Sequence, residues 1–221
     1  MYLKNTELKG AFDELIRNNK LTEELLSNFI EINIGIELNR KIIPCDGVTF
    51  GGLCCNQFPQ ELAKLLMFLY YRRDEIFTYM EIGVNKGGTF YTIDSWLRAI
   101  NSKFLGSTAI DIKSNMRDLE DYLSSYPTVT FKKINSKELK VTEKIDFCLI
   151  DGDHSYEGVK SDFLNVREYA KFIAFHDISI LHKQTNVKKL WDEIHNNFIS
   201  NEFKNKDNRF KNEIGIGVIK T

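Results

Sequence analysis

From residue 76 onward the sequence alternates strand-type and helix-type patterning, and that alternation leaves few folds open. IFTYMEIG (76–83) reads as a strand ending in glycine, and GGTFYTIDSWLRAI (87–100) as a helix. KFLGSTAID (103–111), TVTFKKI (128–134), KIDFCLID (144–151), KFIAFHD (171–177) and the closing IGIGVIKT read as further strands. Helical spacing returns over 114–126, then at Tyr156, Val159, Phe163, Val166 and Tyr169, and at Val187, Leu190, Trp191, Ile194 and Phe198. The runs at 144–151 and 171–177 are almost continuously apolar, as strands of a parallel sheet buried on both faces must be. The fold class expected is α/β, a doubly wound and mostly parallel sheet. Ligands of such sheets bind outside the carboxyl ends of the strands, so chemistry is sought there.

The first third is different. Leu8, Phe12, Leu15 and Ile16 recur at helical spacing, as do Leu21, Leu25, Leu26, Phe29 and Ile30, with Thr22 as a candidate cap for the second helix. Residues 33–58 show no period, and Pro59 then opens a helix, PQELAKLLMFLYYR, that is apolar on nearly all sides. The organisation expected is a helical extension with a cap or lid segment over 1–75, and a ligand-binding domain over 76–221. Apolar surface on the short N-terminal helices points to a cover for the active site or to a homodimer or higher oligomer.

Composition removes several classes of function. Thirty basic and 31 acidic residues give a net charge of -1, which carries no footprint for nucleic acid or an anionic membrane. No apolar run approaches the ~20 residues of a membrane span, and MYLKNTELKG has no signal-type apolar core, so a cytoplasmic protein is expected. Cys45, Cys54, Cys55 and Cys148 fit no metal or redox spacing, and Cys148 reads as a small core residue.

Four strand ends carry polar groups. Glu81-Ile82-Gly83-Val84-Asn85-Lys86-Gly87-Gly88 must turn sharply and expose its backbone. It is not a dinucleotide fingerprint, because Asn85 stands where the glycine beside a pyrophosphate is needed. Asp111 ends the next strand and can accept both hydroxyls of a ribose, or cap the following helix. Together these residues suit a nucleoside ligand without a pyrophosphate. Asp151-Gly152-Asp153-His154-Ser155-Tyr156 and Phe175-His176-Asp177 end two further strands. Asp151 and Asp177 are hard oxygen donors, and His176 extends the set toward manganese, iron or zinc. The plain alternative is that Asp153 or Ser155 caps the helix from Tyr156, and that His176-Asp177 is a hydrogen-bonded strand end.

These residues resemble the class I S-adenosylmethionine-dependent methyltransferases, with Tyr79–Thr89 similar to their first motif and Asp111 to their ribose acid. The run I-D-G-D-H-S-Y-E-G-V-K-S-D is similar to the small-molecule O-methyltransferases of the macrocin and cephalosporin-hydroxylase-like group. Gln57, Pro59 and Glu61 before the first sheet strand, L-W-D-E-I (190–194) and G-I-G-V-I (215–219) are further points of likeness, over residues 43–221. The resemblance implies a Rossmann-like seven-stranded sheet. It implies that Glu81, Gly83, Asn85 and Gly88 line the methionine part of S-adenosyl-L-methionine, that Asp111 holds the ribose, that Ser136 lies near the adenine, and that Asp153 or His154 closes over the cofactor. In metal-dependent relatives a magnesium or similar divalent cation sits at the positions of Asp151, His176 and Asp177, although His-Asp replaces their acidic or acid-amide pair.

The implied chemistry is attack of a hydroxyl, on a sugar or another small molecule, at the sulfonium methyl. Asp151 and His154 are the candidate bases, with His182 on the following loop as another. The rival readings are a non-haem iron oxygenase using His154, His176 and Asp177, a nicotinamide-dependent oxidoreductase, and a non-catalytic partner that keeps the cofactor pocket. The first usually requires a double-stranded β-helix, and Asn85 weakens the second.

Overall fold

A computed structural model describes residues 3–34, 37–38, 41–42, 53, 55, 57–179, 186–204 and 214–221. Cys45, Cys54, His182 and most of the 33–58 segment lie outside the described residues. The helices are α1 (Leu8–Asn18), α2 (Glu23–Asn33), α3 (Pro59–Tyr71), α4 (Gly88–Ile100), α5 (Leu119–Ser125), α6 (Tyr156–Val166) and α7 (Val187–Ile194). The sheet strands are β1 (Thr78–Ile82), β2 (Gly106–Asp111), β3 (Val129–Lys133), β4 (Ile145–Ile150), β5 (Ala170–His176), β6 (Ile199–Phe203) and β7 (Ile216–Lys220). They form one seven-stranded mixed sheet in the order β3-β2-β1-β4-β5-β7-β6. β1 pairs with β4 and β4 with β5 in parallel, whereas β7 is antiparallel to both β5 and β6. This is the Rossmann-like α/β architecture expected. None of the helices, among the described residues, is long and apolar enough to cross a membrane.

The chain divides into two compact units: residues 1–77, 85–106 and 115–130, and residues 78–84, 107–114 and 131–221. The first is a helical layer. Thr22 caps α2 by accepting a bond from the Leu25 amide (3.1 Å), and Pro59 opens α3. α1 packs on α4 and α2 on α3. Phe12 is wedged between Phe29 (5.0 Å) and Trp96 (5.1 Å), and the Trp96 indole donates to the Leu66 carbonyl (2.8 Å). α3 buries Leu62, Leu65, Leu66 and Leu69 together with Glu61, as its all-round apolar pattern requires.

The second unit holds the strand ends of interest. β4 and β5 are buried along nearly their whole length, as their continuous apolar runs predict. Ile150, Ile173, Phe163, Phe175 and Trp191 belong to one apolar cluster with Cys148. Two differences from the sequence reading have physical causes. The helix expected over 114–126 starts only at Leu119, because Asp118 takes a left-handed backbone (φ +49°) that cannot continue a helix. Phe198 belongs to no helix. α7 stops at Ile194, a 3₁₀ turn follows, and Ile199–Phe203 forms an edge strand whose exposed, polar sequence gives little strand signal.

The strand ends converge at Gly83. Its amide donates to the Ile110 carbonyl (2.8 Å), while the Asp151 amide donates to the Ile82 carbonyl (2.8 Å). Gly83 has φ +91°, and a Cβ there would fall inside the Asp151 carbonyl and the Gly152 Cα. Gly83→Ala is therefore expected to lower stability in urea by about 2 kcal/mol or more, from left-handed strain plus a backbone clash that nothing flexible can relieve. A variant within 0.5 kcal/mol of wild type, by the criterion that separates neutral surface changes, would contradict this close approach.

Candidate functional site

Beneath the turn after β1, Glu81 is fully buried, and the Tyr79 hydroxyl donates to its Oε2 from two residues away on the same strand face. Burial pushes the Glu81 carboxyl well above the usual range; the Tyr79 hydroxyl opposes this and the Asp151 charge reinforces it. One residue past β1, Gly83 ties the turn to the end of β2. There Asp111 is partly exposed, and its Oδ1 accepts from the Lys113 amide (2.8 Å). The acid expected to hold a ribose thus stands beside the glycine expected to line the methionine.

Ser136 opens a 3₁₀ turn after β3, and its carbonyl accepts from the Asn165 amide group of α6 (2.9 Å). Asp153 accepts from the Ser155 amide (3.0 Å) and lies 3.7 Å from the Lys137 ammonium. That backbone bond is the main reason its carboxyl sits below the usual range. Ser155, the plain capping alternative, does cap α6 through the Gly158 amide (3.1 Å). Glu81, Gly83, Asp111, Ser136 and Asp153 all lie in the sheet unit.

Asn85 and Gly88 belong to the helical unit. Asn85 has φ +46°, so it adopts the left-handed backbone of a glycine while keeping a side chain. Gly87 (φ +89°) precedes α4, and a Cβ on it would strike the Tyr91 ring and Met116. Gly88 is the first residue of α4, whose amides point into the turn.

At the ends of β4 and β5, four side chains form a closed ring of ion pairs. His154 Nδ1 lies 2.8 Å from Asp177 Oδ2, and His154 Nε2 lies 3.3 Å from Asp151 Oδ1. His176 Nδ1 lies 2.9 Å from Asp151 Oδ1 and 3.3 Å from Asp177 Oδ1. Asp177 reaches into this ring with φ +65°, an unusual backbone for a non-glycine residue. Hydrogen bonds that the His154 imidazole donates to the Asp151 and Asp177 carboxylates, working against burial, push it up to about 11. Burial opposes charge on His176, but the same two carboxylates outweigh it and push its imidazole up to about 9. Burial also opposes charge on Asp151, yet His176 and His154 hold it well below the usual carboxylate range. The two imidazolium ions supply the positive charge that two converging carboxylates need.

Asp151, His176 and Asp177, the trio expected to ligate a cation, are therefore brought together, but as members of this ion-pair ring with His154. Among the described residues no three His, Cys, Asp or Glu side chains are arranged to hold a metal ion. Two contributors escaped the sequence reading. Tyr79 was legible as the period-two neighbour of Glu81. Asp162 is buried on α6 between Val159 and Phe163. Neither of its oxygens receives a full hydrogen bond among the described residues, and burial raises its pKa while the Ser136 hydroxyl opposes that. An acid set among the apolar helix positions was its signal.

The family model of a methyltransferase domain matches residues 80–178. A comparison with curated proteins gave no match. Solved structures give many. A Pyrococcus horikoshii protein provisionally described as an RNA methyltransferase aligns with TM-score 0.56 at 11% identity, covering 90% of this chain and 96% of that one. A Staphylococcus aureus protein provisionally described as a caffeoyl-CoA O-methyltransferase aligns with TM-score 0.53 at 16% identity, covering 96% and 99%. The 1,6-didemethyltoxoflavin-N1-methyltransferase of Burkholderia thailandensis, solved with S-adenosylhomocysteine, aligns with TM-score 0.54 at 13% identity, covering 73% and 78%.

The ring sets a pH dependence with a definite sign. Both histidines have folded pKa values above the usual ~6.5. Their stabilising contribution is complete below that value and is lost as pH rises through about 9 for His176 and about 11 for His154. The stability gap between wild type and His154→Gln in urea should therefore narrow between pH 6.5 and pH 9.5; a gap that widens or stays level would contradict the ring. The chain has the Rossmann-like fold of these methyltransferase structures, and residues 80–178, a little under half of it, match the family model of a methyltransferase domain.

Proposed function

We propose that the protein is an S-adenosylmethionine-dependent methyltransferase acting on a hydroxyl of a small molecule, such as a sugar or a phenol. The observation that carries this reading is the placement of Gly83 beside both Asp111 and Asp151 through the strand-end hydrogen bonds. One place thus offers a ribose acceptor, a close backbone approach and a charged ring. When bound, S-adenosylmethionine supplies an electrophilic methyl group on a sulfonium. Asp111 accepts the ribose hydroxyls, and the Gly83 turn admits the methionine part. Buried Glu81 lies below the turn, with the Tyr79 hydroxyl on it. Ser136 and Asp153 border the adenine side.

The ring then has two tasks. His154 is a third exposed, so a substrate oxygen can reach it, whereas His176 is buried. The His154 imidazolium orients the acceptor oxygen. Asp151, too weak a base to deprotonate a hydroxyl beforehand, would accept the proton once bond formation makes the oxygen cationic and acidic, the electrophilic methyl being what bound S-adenosylmethionine would supply. Asp177 holds His154 in orientation. The near-neutral net charge supports a small acceptor over a nucleic acid. The convergence of Asp151, Asp177 and His176 also supports a second reading, in which a divalent cation replaces the two histidine protons and activates the hydroxyl.

Methyl transfer from radiolabelled S-adenosylmethionine to a panel of sugar and phenol hydroxyls tests the first reading. Asp111→Ala should weaken S-adenosylhomocysteine binding by about 1–3 kcal/mol. His154→Ala should lower kcat by about 10²–10⁴-fold and leave that affinity within a few-fold. Activity should persist in EDTA. Loss in EDTA with recovery on magnesium or manganese would replace the imidazolium account by the metal one. His154→Ala with full turnover in EDTA would remove both.

A further inference from the structure

The N-terminal residues have no role in the chemistry above, yet one of them reaches the cofactor turn. Asn5 starts a 3₁₀ turn and is 2% exposed, although it is a polar residue close to the chain start. Its amide group donates to the carbonyls of Asp118 (3.1 Å) and Arg117 (3.4 Å). The Tyr91 hydroxyl donates to the same Arg117 carbonyl (2.7 Å), and the Arg117 amide donates to the Lys86 carbonyl (3.1 Å). Met116, next in line, is buried where a side chain on Gly87 would otherwise stand. The Asn5 turn is itself held, by the Leu3 amide on the Asn33 carbonyl (2.9 Å) and by Glu7 on the Lys4 amide (2.8 Å). All of these residues lie within the helical unit.

We infer that Asn5 is a positioning residue for the cofactor turn: it fixes segment 116–118, whose Arg117 amide fixes Lys86 and so the Asn85–Gly88 backbone. This rests on reading that turn as the S-adenosylmethionine site. The turn needs such a brace. Asn85 and Gly87 both hold left-handed backbones, which glycine and asparagine leave easily for other conformations. A turn that spends less time in the competent form binds with a Kd raised by the inverse of that fraction. Asp118, also left-handed, needs its carbonyl held for the same reason.

The test is calorimetric titration of S-adenosylhomocysteine into wild type, Asn5→Ala, Tyr91→Phe and the double variant, with hydrogen exchange followed over 85–88 and 115–118. Asn5→Ala should raise Kd about tenfold, the consequence of a competent fraction near a tenth. KM for S-adenosylmethionine should rise in step while kcat at saturation stays within about twofold, a split that mere loss of stability does not produce. The two single effects should be non-additive, since both side chains serve the Arg117 carbonyl. Exchange at the Arg117 amide should quicken. If Asn5→Ala does not fold, Tyr91→Phe, which leaves the N-terminal turn unmutated, carries the same expectations. Folded variants with wild-type affinity and unchanged Arg117 exchange would overturn the brace. A wild type that fails to bind S-adenosylhomocysteine would instead overturn the cofactor reading, and the exchange result alone would then decide the brace.

Discussion

At Gly83 the backbone leaves β1 so close to the Asp151 carbonyl and the Gly152 Cα that no side chain fits between them. The site depends on that contact. It locks the end of β1 to the end of β4, continuing the register that pairs Ile82 with Ile150. The Gly83 amide adds the end of β2 through Ile110. Asp111 and Asp151, on strands that flank β1, are thereby held at fixed positions relative to one turn. A larger residue at 83 would separate the strand ends, and with them the groups read as ribose acceptor and proton acceptor.

The second constraint is electrostatic. Parallel strands that end side by side bring Asp151 and Asp177 together, and two carboxylates so near one another repel unless a cation or proton intervenes. In this chain His154 and His176 intervene. The resemblance to metal-dependent relatives leads to the expectation of a cation there, and that expectation rests on the same charge argument. The histidine protons are one carrier of that charge, and a bound cation would be another. His176, and His154 from the loop before α6, each lie within ion-pair distance of both carboxylates. Glu81 sits in the same field, and burial raises its pKa while the Asp151 charge reinforces that.

Much of the fold was legible because its signals are local. β4 and β5 are apolar on both faces, and the helices from Pro59 and Tyr156 carry their start signals in the sequence. β6 was not legible: Ile199, Ser200, Asn201, Glu202 and Phe203 form an exposed edge held by pairing with β7 rather than by an apolar pattern. Asp118 hid the true start of α5, since aspartate reads as helix-compatible and only its backbone angle shows otherwise. The strand-end acids and histidines were found by type and position. Their arrangement as alternating ion pairs, and the bond from Asn5 to residues over a hundred positions away, depend on tertiary contacts that no local pattern carries.

The most direct measurement is a pair of calorimetric titrations of the wild-type protein, one with S-adenosylhomocysteine and one with NAD. Micromolar binding of S-adenosylhomocysteine and none of NAD is what the strand-end geometry, with Asn85 in place of a pyrophosphate-admitting glycine, predicts. Tight NAD with no S-adenosylhomocysteine would contradict the account at its centre.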